Sequence, residues 1–341
     1  AIALRELMRF EQALFSYDKA IENDPNNAQF LYNRGLLLKT MGRSREALES
    51  FNHAIALNRQ YAGAYLEKGV LLQAFNQLAL AIESYEIALS LNPQFDFLEG
   101  ILLQARMYRC DWDQFDKKIQ TLNMKIANGQ KVATPFSYLS LNDSLSLQST
   151  VARKWTEEKY PSNDSLGPLV RTSKRQRIKL GYFSADFHNH ATAYLMAQLF
   201  ELHDKENFEL IAFSFGPMRT DPMRARLLKC FDQFVEVGHF TDIQVAQMSR
   251  ELGIDIAIDL KGYTGEARPG IFACRAAPIQ VSYIGYPGTM GADFMDYLIA
   301  DPVLVPEVSR QYYTEKIVYL PCYQVNDSQK KPSSKTFTKS D

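Results

Sequence analysis

Apolar and small positions in the first hundred residues recur at one fixed interval. Ala13, Ala47 and Ala81 stand 34 residues apart, as do Tyr17, Phe51 and Tyr85, and Ala20, Ala54 and Ala88. Gly35 and Gly69 keep that spacing, and Pro25 and Pro93 lie two intervals apart with Arg59 between them. Each interval predicts two antiparallel helices: the alanines allow close approach, the aromatic plugs the gap to the next unit, and the proline ends the second helix. An ordinary bundle has no reason to hold register across three units.

A 34-residue period with small and aromatic positions is the tetratricopeptide signature, so residues 1–94 are expected to form an α-solenoid of about three repeats. The first repeat looks truncated at its amino end, and further repeats are expected before Ala1. Such arrays present a concave surface to peptides, which implies recognition of protein partners rather than chemistry. After Pro93 the period dissolves, although 97–112, 115–126 and 145–155 keep a helical rhythm. Residues 95–174 therefore read as a helical bridge, with a loop at Tyr160–Ser165.

From Ile178 the pattern alternates between short apolar runs and amphipathic stretches. Strands are expected at 178–183, 208–213, 234–237, 254–260, 280–284, 297–300 and 317–320, with helices at 192–202, 219–230 and 241–252. Ile254–Leu260 is almost continuously apolar, as in a parallel sheet covered on both faces. The fold class expected is thus α plus α/β, a solenoid followed by a doubly wound Rossmann-like domain over 175–325. Residues 326–341 read as a polar linker.

Composition narrows the partners. Lys and Arg number 38 against 39 Asp and Glu, so no global field draws nucleic acid or an acidic membrane. The cluster Lys174-Arg175-Gln176-Arg177 reads as a solvated boundary. Cys110, Cys230, Cys274 and Cys322 lack paired spacing, which suits a reducing compartment, and a cytoplasmic location is expected. No apolar run approaches a membrane span.

Three chemistries are disfavoured by motif. After the first strand comes Gly181-Tyr182-Phe183-Ser184-Ala185-Asp186 and not a three-glycine dinucleotide fingerprint; no Gly-Lys-Ser/Thr phosphate loop exists; only His188 and His190 lie close enough to suggest a metal, so none is expected. What remains is Ser184–Thr192, which puts a carboxylate, two imidazoles, an amide and two hydroxyls just past the first strand. Asp186 or His190 there could take a proton from a hydroxyl, or Asp186 or Asn189 could cap the helix near Thr192. Two further loops, Gly262–Arg268 and Gly285–Thr289, follow apolar runs and offer glycines, hydroxyls and one arginine where ligands of such folds bind. Arg268 could meet a phosphate or an acidic side chain. His53, His203 and His239 read as structural or solvated.

The tetratricopeptide period, GYFSADFHNHAT, LKGYTGEARPGIFACRAAPIQVSYIGYPGTMGADFMDYLIAD and LPCYQVND together resemble the O-linked N-acetylglucosamine transferase family, in its bacterial and SPINDLY-like branch. The resemblance spans nearly the whole chain. It implies the first half of an inverting GT-B glycosyltransferase that moves N-acetylglucosamine from UDP-N-acetylglucosamine to Ser or Thr of proteins, with the nucleotide sugar as co-substrate and no other cofactor. It carries proton handling onto Asp186 and His190. Substrate contacts fall on Thr192, on Tyr263, Thr264 and Arg268, and on Gly285, Tyr286, Pro287, Gly288 and Thr289. Asp186, His190 and the donor's own phosphate all stay open as the proton acceptor.

The sequence departs from animal members at Ala191 (usually Pro), His188 (Gly) and Gly265 (Lys), and carries Asn33 but Glu67 at successive groove positions. Because such enzymes bind the nucleotide mainly in a second Rossmann-like domain, the segment is expected to be inactive by itself. Two alternatives accompany this reading: an O-fucosyltransferase using GDP-fucose, and a tetratricopeptide scaffold without catalysis.

Overall fold

The computed structural model describes residues 3–4, 9–169, 176–325, 327–329, 334–336 and 338. Of the expected boundary cluster, Lys174 and Arg175 lie outside the described residues, as do Lys330–Ser333 of the polar tail. Two compact units divide between Asn142 and Asp143, inside the expected bridge.

In the first unit, α1 (Phe10–Asn23), α3 (Ser44–Leu57) and α5 (Leu78–Leu91) repeat at the 34-residue interval, with α2 (Ala28–Thr40) and α4 (Ala62–Ala74) between them. Asn27 caps α2, its side-chain oxygen accepting from the N–H groups of Gln29 and Phe30. The periodic alanines Ala13, Ala47, Ala54, Ala81 and Ala88 are fully buried, which is what close helix approach requires. The periodic aromatics have a further partner that the period alone does not name. A Cβ on Gly35 would lie 2.5 Å from the Phe51 ring, and one on Gly69 2.4 Å from the Tyr85 ring. Each ring therefore occupies the space left by the glycine of the preceding helix inside its hairpin, and shares a buried cluster with the following helix, Phe51 with Leu71 and Tyr85 with Leu98. The pair is the reason both the glycine and the aromatic share the period.

The unit continues with α6 (Leu98–Tyr108), α7 (Phe115–Ala127) and a short α8 (Pro135–Leu139), the last not anticipated. The 97–112 helix stops at Tyr108 because Cys110 takes a left-handed φ of 56°.

The second unit opens with α9 (Leu145–Lys159) and builds one parallel sheet: β1 (Ile178–Ser184), β2 (Phe208–Ser214), β3 (Gln233–Glu236), β4 (Ile256–Asp259), β5 (Ile279–Ser282), β6 (Tyr297–Ala300) and β7 (Lys316–Tyr319). Its order, β3-β2-β1-β4-β5-β6-β7, reverses direction at β1. That is the doubly wound arrangement, whose ligand crevice lies outside the strand ends at the reversal. Helices α10 (Ala191–Leu202), α11 (Pro222–Leu227), α12 (Asp242–Leu252) and α13 (Pro269–Ala273) and a 3-10 turn at Glu307–Tyr312 connect the strands.

Local chemistry sets the ends. The 219–230 helix shrinks to α11 because Asp221 caps it, accepting from Arg224 N–H, and Pro222 occupies the first helical position. For α12, Thr241 and Gln244 form a capping box and Gly253 closes the far end in the left-handed conformation. The core under the sheet joins Phe187, Met196, Phe200, Leu210 and Phe231 to Ile258 and Tyr283. On the other side Phe183 stacks on Phe213 with centroids 4.3 Å apart.

Candidate functional site

β1, β4 and β5 finish almost level, since Phe183 pairs with Asp259 and Asp259 with Ser282. Just past β1, Ser184 Oγ accepts the Asp186 N–H at 2.9 Å and the Asp186 carbonyl accepts the His188 N–H at 2.7 Å. These local bonds fold the chain back, so the Asp186 side chain is only 5% exposed. Past β4, the two carboxylate oxygens of Asp259 accept the N–H groups of Lys261 (2.9 Å) and Gly262 (3.0 Å). Aspartate bonding its own chain this way makes a tight turn, and the turn delivers the Lys261 ammonium to β1. Lys261 Nζ lies 2.8 Å from Asp186 Oδ2, and its side chain is 6% exposed.

Three polar groups converge on that one oxygen. Besides Lys261, Thr192 Oγ1 and His190 Nδ1 each stand 3.4 Å from Asp186 Oδ2. The residue capping α10 is His190, neither of the expected Asp186 and Asn189: its Nδ1 accepts the Thr192 N–H at 3.2 Å. Together with His188, Arg219, Thr264 and Glu266, these groups line a recess of about 390 Å³ floored by Gly285. His190 remains 42% exposed, whereas His188 is buried with no hydrogen-bond partner on Nδ1.

The GYPGT loop supports the recess. A Cβ on Gly285 would sit 2.0 Å from the Leu260 carbonyl oxygen and one on Gly262 2.3 Å from Tyr286 Cβ, so only glycine lets the two strand-end loops touch. Tyr263 and Tyr286 lie beneath, packed edge to face at 5.5 Å, with burial pushing both hydroxyls well above their ordinary value. The hydroxyls of Tyr263 and Thr156 both reach the Met290 carbonyl at 2.7 Å. Thr289 Oγ1 and Met290 N–H donate to Glu315 at 2.7 and 2.6 Å; burial raises the Glu315 carboxyl, and these bonds counter the rise. Pro287 contributes its carbonyl to the Tyr313 hydroxyl, and a Cβ on Gly288 would meet Tyr286 Oη at 2.8 Å.

The structure thus gathers Asp186, His190, Thr192, Thr264 and Gly285 around one recess and sets Tyr263, Tyr286, Pro287, Gly288 and Thr289 behind it. Arg268 stands apart. It donates to Asp242 (2.7 Å) and to the carbonyls of Val237 and Phe240, fixing the start of α12. Sequence reasoning passed over Lys261, Asp259 and Glu315; the available signal for Lys261 was its place at the carboxyl end of a central strand, where side chains face the crevice. Asp259 is fully buried, and burial raises its carboxyl from 3.8 to about 6 against the pull of the Lys261 and Gly262 amides and the Lys261 charge.

A larger cavity, about 960 Å³, lies in the first unit beside α5, α6 and α7. Its cations are largely committed to neighbours: Lys125 to Glu99 at 2.6 Å, Arg106 to Glu86, and Lys118 to Asp113 at 3.6 Å. It lacks the convergence seen at the strand ends. Among the described residues, no cluster of His, Cys, Asp and Glu could hold a metal, and no helix is long and apolar enough to cross a membrane.

Comparison with known proteins gives these features a context. Residues 164–332 match the glycosyl transferase family 41 model, and residues 16–49 and 62–95 match tetratricopeptide repeats. A probable UDP-N-acetylglucosamine–peptide N-acetylglucosaminyltransferase of Arabidopsis thaliana is 39% identical over 165 residues, 48% of this chain and 17% of that protein. A UDP-N-acetylglucosamine–peptide N-acetylglucosaminyltransferase of Caenorhabditis elegans is 33% identical over 228 residues, covering 62% and 20%. The chain therefore spans a fifth or less of the length of these relatives. A solved mutant of the Thermobaculum terrenum O-GlcNAc transferase superposes with TM-score 0.58 at 26% identity, over 92% of this chain and 55% of that one.

Proposed function

We propose that this chain, which belongs to glycosyltransferase family 41, serves a protein O-glycosyltransferase that moves N-acetylglucosamine from UDP-N-acetylglucosamine to Ser or Thr hydroxyls. The observation that carries the reading is the recess at the sheet's reversal point, where Asp186, Lys261, His190 and Thr192 meet within the family-matched segment. In this reading residues 1–94 recognise the acceptor protein, 95–174 bridge to the 175–325 domain, 326–341 form a linker, and the protein works in the cytoplasm.

The reaction is a single displacement with inversion. An acceptor hydroxyl attacks the anomeric carbon, the nucleotide diphosphate departs, the hydroxyl loses its proton and charge grows on the leaving phosphate. Asp186 and His190 shape the charge and hydrogen bonds around the reacting groups, and the donor's own departing phosphate is left to take the hydroxyl's proton. Thr192 and Thr264 offer hydroxyls to the sugar or acceptor, and the GYPGT loop gives the donor sugar a rigid floor. Tyr263 and Arg268 act by holding loops in place. No metal enters the reading, because basic groups and helix ends can stabilise a departing diphosphate.

The test is a transfer assay on the full-length protein with UDP-N-acetylglucosamine or GDP-fucose and a host lysate, read as peptide mass gain. The expected result is gain with UDP-N-acetylglucosamine that is lost in Asp186→Ala and His190→Ala. Gain with GDP-fucose alone reassigns the donor. No gain with either donor, from folded protein, refutes the reading in favour of a scaffold.

A further inference from the structure

We propose that Lys261 is a positioning residue that keeps the proton of His190 on Nε2, so that the ring meets its ligand as a hydrogen-bond donor. The meaning for catalysis rests on the transfer-site reading above; the proton's position does not.

Two groups compete for His190 Nδ1. The Thr192 backbone N–H lies 3.2 Å away and can only donate, so it needs a bare lone pair on Nδ1. Asp186 Oδ2 lies 3.4 Å away and can only accept when ionised, so it needs Nδ1–H. A neutral imidazole carries one proton, and whichever partner wins decides which nitrogen faces the recess. Lys261 settles the contest. Its ammonium is 2.8 Å from the same oxygen, inside a nearly solvent-free pocket, and the Thr192 hydroxyl adds a weaker contact. The carboxylate is charge-balanced without the imidazole. Nδ1 is then released to cap α10, and Nε2 of this 42% exposed side chain keeps the hydrogen. A ring in that tautomer donates to a ligand oxygen and cannot receive a hydroxyl proton at Nε2. Lys261 thereby also commits Asp186 to a structural anion's role.

Five histidines make the proton visible. In the ¹⁵N-histidine-labelled chain, two-bond ¹H–¹⁵N correlations at a pH where His190 is neutral should show Nδ1 bare and Nε2 protonated. Lys261→Met should invert the pattern as Asp186 recruits Nδ1–H, while Lys261→Arg should keep it. Unchanged correlations for the other four histidines report that the variants are folded. A wild-type His190 protonated on Nδ1, or a folded Lys261→Met indistinguishable from wild type, overturns the assignment. In the transfer assay, His190→Asn can cap Thr192 through Oδ1 and still donate through Nδ2, so it should run at least about 10-fold faster than His190→Ala; equal rates overturn the donor role. A wild-type protein without transfer activity defeats the functional reading alone, and leaves the spectra to judge the tautomer.

Discussion

Asp259 gives the sharpest quantitative expectation. Its carboxylate is fully buried, and burial raises it from 3.8 to about 6 even with two backbone N–H donors and the Lys261 charge opposing the rise. The folded state therefore binds this proton more tightly than the unfolded chain does. Stability from this residue is fully present below about pH 4 and is lost as pH climbs through about 6. At about 1.4 kcal/mol for each tenfold difference in proton affinity, the loss is about 3 kcal/mol. Asp259→Asn keeps one acceptor for the Lys261 or Gly262 amide and cannot titrate. Hydrogen exchange of β1 and β4 peptides, wild type against variant at each pH, isolates the residue because intrinsic exchange rates cancel. The variant-minus-wild-type opening free energy should move by about 2 kcal/mol between pH 4 and pH 7, in favour of the variant at neutral pH. A difference that stays flat across that range would refute the reasoning, since it would mean that solvent reaches the carboxylate or that Lys261 fully compensates it.

Further outcomes follow from other contacts. Removing one partner of the buried Asp186–Lys261 pair strands a charge, so Asp186→Asn and Lys261→Met should each cost about 3–5 kcal/mol, whereas the double substitution should recover most of it; thermal melts of the three variants check this, and additive losses would contradict it. Gly69→Ala should cost about 1–3 kcal/mol by driving a methyl into the Tyr85 ring, and Tyr85→Leu in the same chain should relieve part of that loss; urea unfolding followed by helical circular dichroism reads it.

Much of this architecture was legible in the chain. The 34-residue rhythm located the helices of the array because a stacked solenoid repeats its contacts, and a repeated contact is a repeated letter. All seven strands lay within two residues of expectation at most ends, as near-continuous apolar runs mark a sheet buried on both faces. The shortfalls share a physical cause. The helix expected at 219–230 is shorter than its periodicity suggests because Asp221-Pro222 restarts the chain, a local capping event inside a periodic stretch. In the recess, Asp186, His190 and Thr192 were found because they are neighbours in sequence. Lys261, 75 residues from Asp186, and Glu315, 25 residues from Met290, act through contacts that only the tertiary fold creates. The glycine–aromatic partnership was half visible: both members showed the period, but which helix the ring faced did not.

The distance of 75 residues between the two ends of the Asp186–Lys261 pair also has a bearing on how the molecule is made. Each hairpin of the array closes over a few residues and can form as soon as its second helix is synthesised. The recess cannot. When Asp186 leaves the ribosome its counter-ion has not been translated, and β1 first finds β2, the strand next in sequence and beside it in the sheet. Only after β3 and α12 are made can β4 enter on the opposite edge of β1 and carry Lys261 into place. Contacts of such long sequence separation are paid for in loop entropy before they return any energy, so they form slowly. The array thus matures before the recess does, and until Lys261 is made the chain carries a folded repeat array ahead of a site that does not yet exist.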